Sequence, residues 1–168
     1  MTTRGYLVAT ASAVTVSLCL APLAIADAPE FPDVSTYQAD SLTAYKHGEF
    51  AEFRTPDGLL CRLQPANGGI PTFWCYGNLP AVPAGVNAVS GTNFKRWGFL
   101  PPDVNKNAPV LPPMHSLTIT GSQTNTTCVV GPNGLTACKS VISYSGGGGE
   151  ETGFVASPQG SRIWRTKL

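Results

Sequence analysis

Five cysteines, two histidines and one pair of adjacent glutamates are the residues of this 168-residue chain from which chemistry could be built. Cys61, Cys75, Cys128 and Cys138 fall into two short-range pairs, each bracketing a Gly-rich turn, while Cys19 stands apart in the N-terminal run. Four thiols could hold zinc, but the thirteen and nine intervening residues lack the short C-x2-4-C knuckles of structural zinc sites. Oxidation to two local disulfides fits the spacing better. His47 lies in a polar segment and His115 beside Pro112-Pro113-Met114. Either imidazole would need a nucleophile and an orienting acid to act as a general base, and no motif supplies them. Ser145 lacks the flanking glycines of a nucleophile elbow. The glycine run at 146–149 lacks the Lys-Ser/Thr that completes a phosphate cradle, and it reads as a flexible loop tip. Glu150-Glu151 would hold Ca²⁺ only with further oxygen ligands in register, and none is visible, so it reads as a solvated acidic tip. The expectation is no catalytic residue, no metal and no cofactor.

The cysteine reading depends on compartment, which the N-terminus addresses. Arg4 precedes an uncharged run from 5 to 26 that ends in Ala24-Ile25-Ala26, small residues at the two positions a signal peptidase reads. An uncleaved anchor is the alternative, since a stretch of this length could span a bilayer, but Pro22 and the Thr/Ser content argue against it. A lipoprotein reading of Cys19 meets Leu18 where Gly or Ala is usual. Removing the first 26 of 168 residues leaves 142, takes Cys19 away and makes the cysteine count even. The remaining ten Lys/Arg balance ten Asp/Glu, with no sustained basic run, which argues against nucleic acid and anionic membrane surfaces as partners. The expected location is outside the cell or in its envelope, with no stable membrane insertion after cleavage.

Gly and Pro number 18 and 15, roughly a fifth of the chain against a usual share of about 12%. Much of the chain must therefore be turn. Residues 27–48 read as an N-terminal arm, with a short helix suggested by the spacing of Tyr37, Leu42 and Tyr45. Residues 49–168 read as a single β-rich domain. A first hairpin unit covers 49–78, where Phe50, Phe53, Leu59, Cys61 and Leu63 alternate with polar residues around Thr55-Pro56-Asp57-Gly58. A Pro-rich connection covers 79–113 and is expected to wrap over the core. A second unit covers 114–168, with strands expected at 117–120, 127–130, 135–144, 154–156 and 161–164.

The turns fix registers. In Gly131-Pro132-Asn133-Gly134-Leu135, Pro132 pre-sets the first turn position, Asn133 tolerates the second and Gly134 takes the left-handed one. If Gly131 and Leu135 close that loop, facing residue numbers total 266, which Cys128 and Cys138 satisfy. They then form a non-hydrogen-bonded pair, where Cα atoms approach to about 4.5 Å, within reach of a disulfide. Around Gly68 the same geometry places Cys61 opposite Cys75, with Pro65 and Pro71 as symmetric flanks that forfeit no ladder bond. Pro56-Asp57-Gly58-Leu59 returns as Pro132-Asn133-Gly134-Leu135, offset from the cysteines, which leaves open whether the units are duplicates or share turn chemistry.

Several of these segments together resemble a known group. Phe31-Pro32-Asp33-Val34, Thr55-Pro56-Asp57-Gly58-Leu59-x-Cys61, and Cys75-x-Gly77-Asn78-Leu79-Pro80 followed by Pro83-x-Gly85-x-Asn87-x-Val89 resemble an uncharacterised family of small exported actinobacterial, chiefly mycobacterial, proteins. Cys128, Gly134, Cys138 and Gly153-Phe154 are similar to a secreted actinobacterial module, with Thr152 standing where that module often has His. The resemblance implies export and a disulfide-stapled scaffold. It brings no activity and no catalytic residues.

The fold expected is all-β or β-rich: a small, loop-rich, disulfide-stapled β-sandwich or meander built from two hairpin units behind a cleaved signal helix. Strand alternation sends Phe73 and Cys75 to one face and Trp74 and Tyr76 to the other. With Cys61 facing Cys75, Arg62 faces Trp74, where a guanidinium can lie across an indole. Arg62, Trp74 and Tyr76, joined by Trp97, are therefore expected to form a solvated binding face, with Leu63, Phe73 and the cysteines inward. Two functions follow. One is a non-enzymatic interaction module for an envelope protein or glycan. The other is a small secreted hydrolase whose site would need His115, Asp103 and Glu151 to converge.

Overall fold

A strand that buries one face needs apolar residues at every second position, and the chain supplies such runs between turn signals along most of its length. The computed structural model describes residues 30–65, 73–80, 82–91, 93–95 and 103–168. The segment read as a signal, 1–26, and with it Cys19, lies outside the described residues. One six-stranded sheet is a meander of antiparallel neighbours: β2 (Lys46–His47), β3 (Phe50–Arg54), β4 (Leu60–Leu63), β5 (Phe73–Tyr76), β6 (Ala88–Ser90) and β7 (Asn93–Lys95). The other repeats the plan with β8 (His115–Thr120), β9 (Thr124–Val130), β10 (Thr136–Ser143), β11 (Gly149–Ser157) and β12 (Gly160–Lys167), and β1 (Gln38–Ala39) joins it parallel to β8.

Both sheets turn their apolar phase toward one core. Phe53, Cys61, Leu63, Phe73, Cys75 and Val89 meet Leu117, Cys128, Val130, Cys138, Phe154 and Ala156. Phe73 and Phe154 pack across the two sheets at 5.7 Å between ring centroids. Burying one such side chain contributes roughly 1.5–3 kcal/mol. The expected β-rich, two-unit, doubly stapled architecture is the one observed.

The registers match those read from the turns: Cys61 faces Cys75, Arg62 faces Trp74, and Cys128 faces Cys138. Both disulfides are formed, each with Cα atoms 4.0 Å apart. Each joins adjacent strands within one sheet, so apolar packing rather than a bridge holds sheet to sheet. The Gly131 N–H donates to the Leu135 carbonyl at 2.8 Å, closing the loop as expected, but both Asn133 (φ 55°) and Gly134 (φ 76°) are left-handed. Asn accepts that region because its short polar side chain can bond locally. The Thr55 N–H bonds the Leu59 carbonyl at 2.8 Å in the same way, with Gly58 at φ 93°. The two turns close alike but differ inside, since Asn133 is left-handed and Asp57 is not, and the first precedes its disulfide hairpin while the second lies inside it. Their likeness is shared turn chemistry.

The outer faces are not left bare. Phe31, Val34 and Tyr37 of the arm cover Val129, Ala137 and Val155 on the second sheet. Between Tyr37 and Tyr45 there is no α-helix; 3-10 turns form at Val34–Thr36 and Leu42–Tyr45. The edge of β8 draws the intervening backbone into the sheet, since the N–H groups of Gln38 and Asp40 donate to the Met114 and Ser116 carbonyls, each at 2.9 Å. The connection does not wrap throughout as expected, since Ala88–Ser90 and Asn93–Lys95 extend the first sheet as β6 and β7 with Val89 turned into the core; the stretch from 103 crosses the outer face, where Val104 and Ala108 pack on Leu60 and Trp74. It is anchored there by Arg54 N–H to Pro109 O at 2.8 Å and Leu111 N–H to Arg54 O at 2.9 Å.

Candidate functional site

The expected binding face is where the structure departs most from the sequence reading. β4 and β5 place Arg62 beside Trp74 on the face opposite the cysteines, as alternation requires, but that face is not solvated. Arg62 is 5% exposed and Trp74 8%, while Tyr76 is half-buried. Trp97 lies outside the described residues. The second layer is the 103–108 segment, and the partner for the buried charge comes from β3, where Glu52 sits opposite Arg62. Arg62 Nε and Nη2 both reach Glu52 Oε1 at 2.6 Å, and Nη1 reaches Asp103 Oδ2 at 2.9 Å. The guanidinium lies over the Phe50 ring, 4.1 Å from its centroid, and 5.4 Å from that of Trp74. Glu52 Oε2 accepts the Asn105 N–H at 2.9 Å and faces His47 Nδ1 at 2.8 Å. A charge buried this deeply persists only when paired and hydrogen-bonded on every side. The Arg62 bond holds the Asp103 carboxyl below its ordinary value.

Both histidines have the orienting acid that sequence reasoning did not find. His47 has Glu52. His115 Nδ1 lies 2.7 Å from Asp40 Oδ1, and Asp40 Oδ2 accepts the Tyr45 hydroxyl at 2.6 Å. Burial pushes Asp40 up, but the bonds from Tyr45 and His115 outweigh it and hold the carboxyl below its usual range. Burial, and then the bond to Asp40, drives the Tyr45 phenol well above its ordinary value. These acids lie five residues from His47 and 75 from His115, and only the strand pairings and the arm's docking bring them in.

The three residues needed for the hydrolase reading do not converge. Asp103 covers the outer face of the first sheet. Glu151 lies on the outer face of the second, accepting Trp164 Nε1 at 2.9 Å with Lys139 Nζ at 3.4 Å. His115 stands at the start of β8 with Asp40. Alternation also separates the adjacent glutamates: Glu150, 8% exposed and not a solvated tip, bonds Arg165 at 2.7 Å on the opposite face from Glu151. Beside Glu151, Phe31 of the arm meets Trp164 edge-on at 6.0 Å, and Lys139 lies over the Phe31 ring at 4.9 Å. A cleft of about 330 Å³ lies between the two turns, lined by Pro56, Asp57, Pro113, Gly131 and Asn133 among others. The Asp57 carboxylate beside it is taken by the Thr55 hydroxyl.

Comparison of the chain with protein families, with curated proteins and with solved structures finds no match.

Proposed function

We propose that this chain is a non-enzymatic interaction module of an exported or envelope protein. The observation that carries the reading is how its chemically capable side chains are used. Glu52, Arg62 and Asp103 tie the connection to the first sheet, Asp40 and Tyr45 tie the arm to β8, and Glu151 holds Trp164 beneath the arm. Each carboxylate is engaged in joining a segment to a sheet rather than in presenting an open reactive group. Two formed disulfides fit an oxidising, extracytoplasmic compartment. The signal-like N-terminus and the resemblance to small exported actinobacterial proteins give the same setting, in which an envelope protein or glycan is the partner class.

A small secreted hydrolase is the competing reading, and the His115–Asp40 pair is the one observation in its favour, an oriented imidazole without a hydroxyl or thiol bonded to it among the described residues. One experiment separates them. The purified, oxidised chain is incubated with isolated envelope fractions while retention and release of ester, peptide and glycan products are followed together. Saturable retention without turnover is the expected result. Turnover that disappears in His115→Ala overturns the proposal in favour of the hydrolase, and absence of retention on every fraction overturns it outright.

A further inference from the structure

The two outer faces are covered, but the sheets still have edges, and the edges differ. Among the described residues β1 and β2 are two residues long and β7 three, whereas β12 runs for eight residues, Gly160–Lys167, with β11 on one side and no strand on the other. The register with β11 is continuous over all eight pairs, without a bulge, and β12 contains no proline. The Leu168 N–H donates to the Gly149 carbonyl at 3.0 Å, which fixes the phase: even-numbered residues of β12 bond β11, and Ser161, Ile163, Arg165 and Lys167 point their N–H and C=O groups to the open side. A long, regular, unpaired edge is a template for another strand.

The charge pattern says which strand. β12 carries Arg162, Arg165 and Lys167 and no carboxylate. Behind it stand Lys139 on β10 and Glu150 and Glu151 on β11, so four cations share two carboxylates. Glu151 is taken by Lys139 and the Trp164 indole, and Glu150 by Arg165. Arg162 lies by the Trp164 ring, 5.4 Å from its centroid, and its Nε, shielded from water, has no hydrogen-bond partner among the described residues. Lys167, exposed near the end of the strand, is a cation left without a carboxylate among the described residues, and such a group is suited to a carboxylate arriving from outside. Cations on an edge are also the usual guard against self-pairing, and here the two roles coincide. A second copy added antiparallel would lay this cationic strand along its own copy, which opposes pairing, whereas an acidic strand would relieve that repulsion.

We propose that β12 is a strand-addition site that receives an extended acidic segment of a partner protein. Main-chain bonds to Ser161, Ile163 and Arg165 would supply affinity, and carboxylates beside Arg165 and Lys167, which share a face of the strand, would supply selection. This rests on the interaction-module reading and names the partner's chemistry.

The probe is a blocked octapeptide of alternating Val and Glu, with alternating Val and Lys as its control, titrated into the full oxidised chain by fluorescence anisotropy and by amide hydrogen exchange. The acidic peptide should bind, slow exchange at Ser161, Ile163 and Arg165, and lose affinity with rising salt. Arg165→Pro removes an outward N–H and a cation without touching a main-chain bond to β11, although it also releases Glu150, and should weaken binding about tenfold. Because that change could disturb folding, the Lys167→Gln chain, which leaves the backbone intact, should weaken the acidic peptide and flatten its salt dependence. Equal binding of the lysine peptide, binding without protection of those three amides, or no binding of the acidic peptide overturns the proposal. Repeating the envelope-retention assay with Arg165→Pro keeps the two readings apart. Retention by the unaltered chain that survives the substitution sinks only the β12 site, while absence of retention by the unaltered chain sinks the module itself.

Discussion

Arg62 shows how far a local register reaches and where it stops. The register read from the sequence sets Arg62 opposite Trp74, and the structure has that pair. What decides whether the pair is wet or dry is a third strand and a distant segment: Glu52 arrives through the β3–β4 register, and Asp103 through a connection whose docking no periodicity announces. A signal was available in Phe50-x-Glu52, which shares the phase of Arg62 once Thr55-Pro56-Asp57-Gly58 is read as a hairpin turn closing on Thr55 and Leu59. The buried carboxylate is the sensitive member of the pair. Glu52→Gln keeps the shape but leaves Arg62 with the exposed Asp103 alone, and breaking a buried ion pair in this way costs about 3–5 kcal/mol. Urea unfolding at neutral pH measures it. A loss under about 1 kcal/mol would mean that water or Asp103 compensates the guanidinium.

At the scale of elements, the second sheet was more legible than the first. Its strands fall where the short, strongly marked turns put them and only their lengths differ: 135–144 contracts to Thr136–Ser143, while the others are longer, most of all β11, where 154–156 extends to Gly149–Ser157. The first sheet contains short strands separated by Pro-rich segments, so alternation has few residues over which to declare itself. The arm was misread as helical because Tyr37, Leu42 and Tyr45 carry a helix-like spacing while the free edge of β8 competes for the same backbone groups. Gly153 marks a constraint that the sequence displayed without its reason. It faces Trp164 across β11 and β12, and a Cβ there would overlap the indole ring and lie 2.8 Å from the Cys138 carbonyl oxygen. The missing side chain lets the ring lie flat across the strand, the aromatic covering of a glycine that helps fix sheet register. Gly153→Ala should therefore displace Trp164 and destabilise the chain by about 1–3 kcal/mol, the usual effect of overpacking. Chemical unfolding gives the loss, and an unchanged midpoint would show that the ring moves aside freely.

At the scale of the molecule, the disulfides and the core divide the work of holding the fold. Sequence spacing was enough to pair the cysteines, because each bridge lies within one hairpin and depends only on a turn. It could not reveal that both bridges face each other's sheet in one apolar core, since that depends on the packing of Phe73 on Phe154 and of Leu63 and Val89 on the second sheet. This arrangement has a thermodynamic consequence. Each bridge closes a short loop, with partners 14 and 10 residues apart, for which the loss of unfolded-state entropy contributes about 3 kcal/mol. Neither bridge links the sheets, so replacing Cys61 and Cys75 by Ala leaves the intersheet core as continuous as replacing Cys128 and Cys138 does. Each double replacement should lower stability by about 3 kcal/mol while unfolding remains a single cooperative transition. Removing both bridges should approach the whole stability of a small domain, which lies at about 5–15 kcal/mol. Denaturant unfolding followed in parallel by tryptophan fluorescence and far-ultraviolet dichroism tests this. Two separated transitions in either double replacement would show that the sheets are independently stable units, and that the apolar interface between them is weaker than the burial of Phe73 and Phe154 implies.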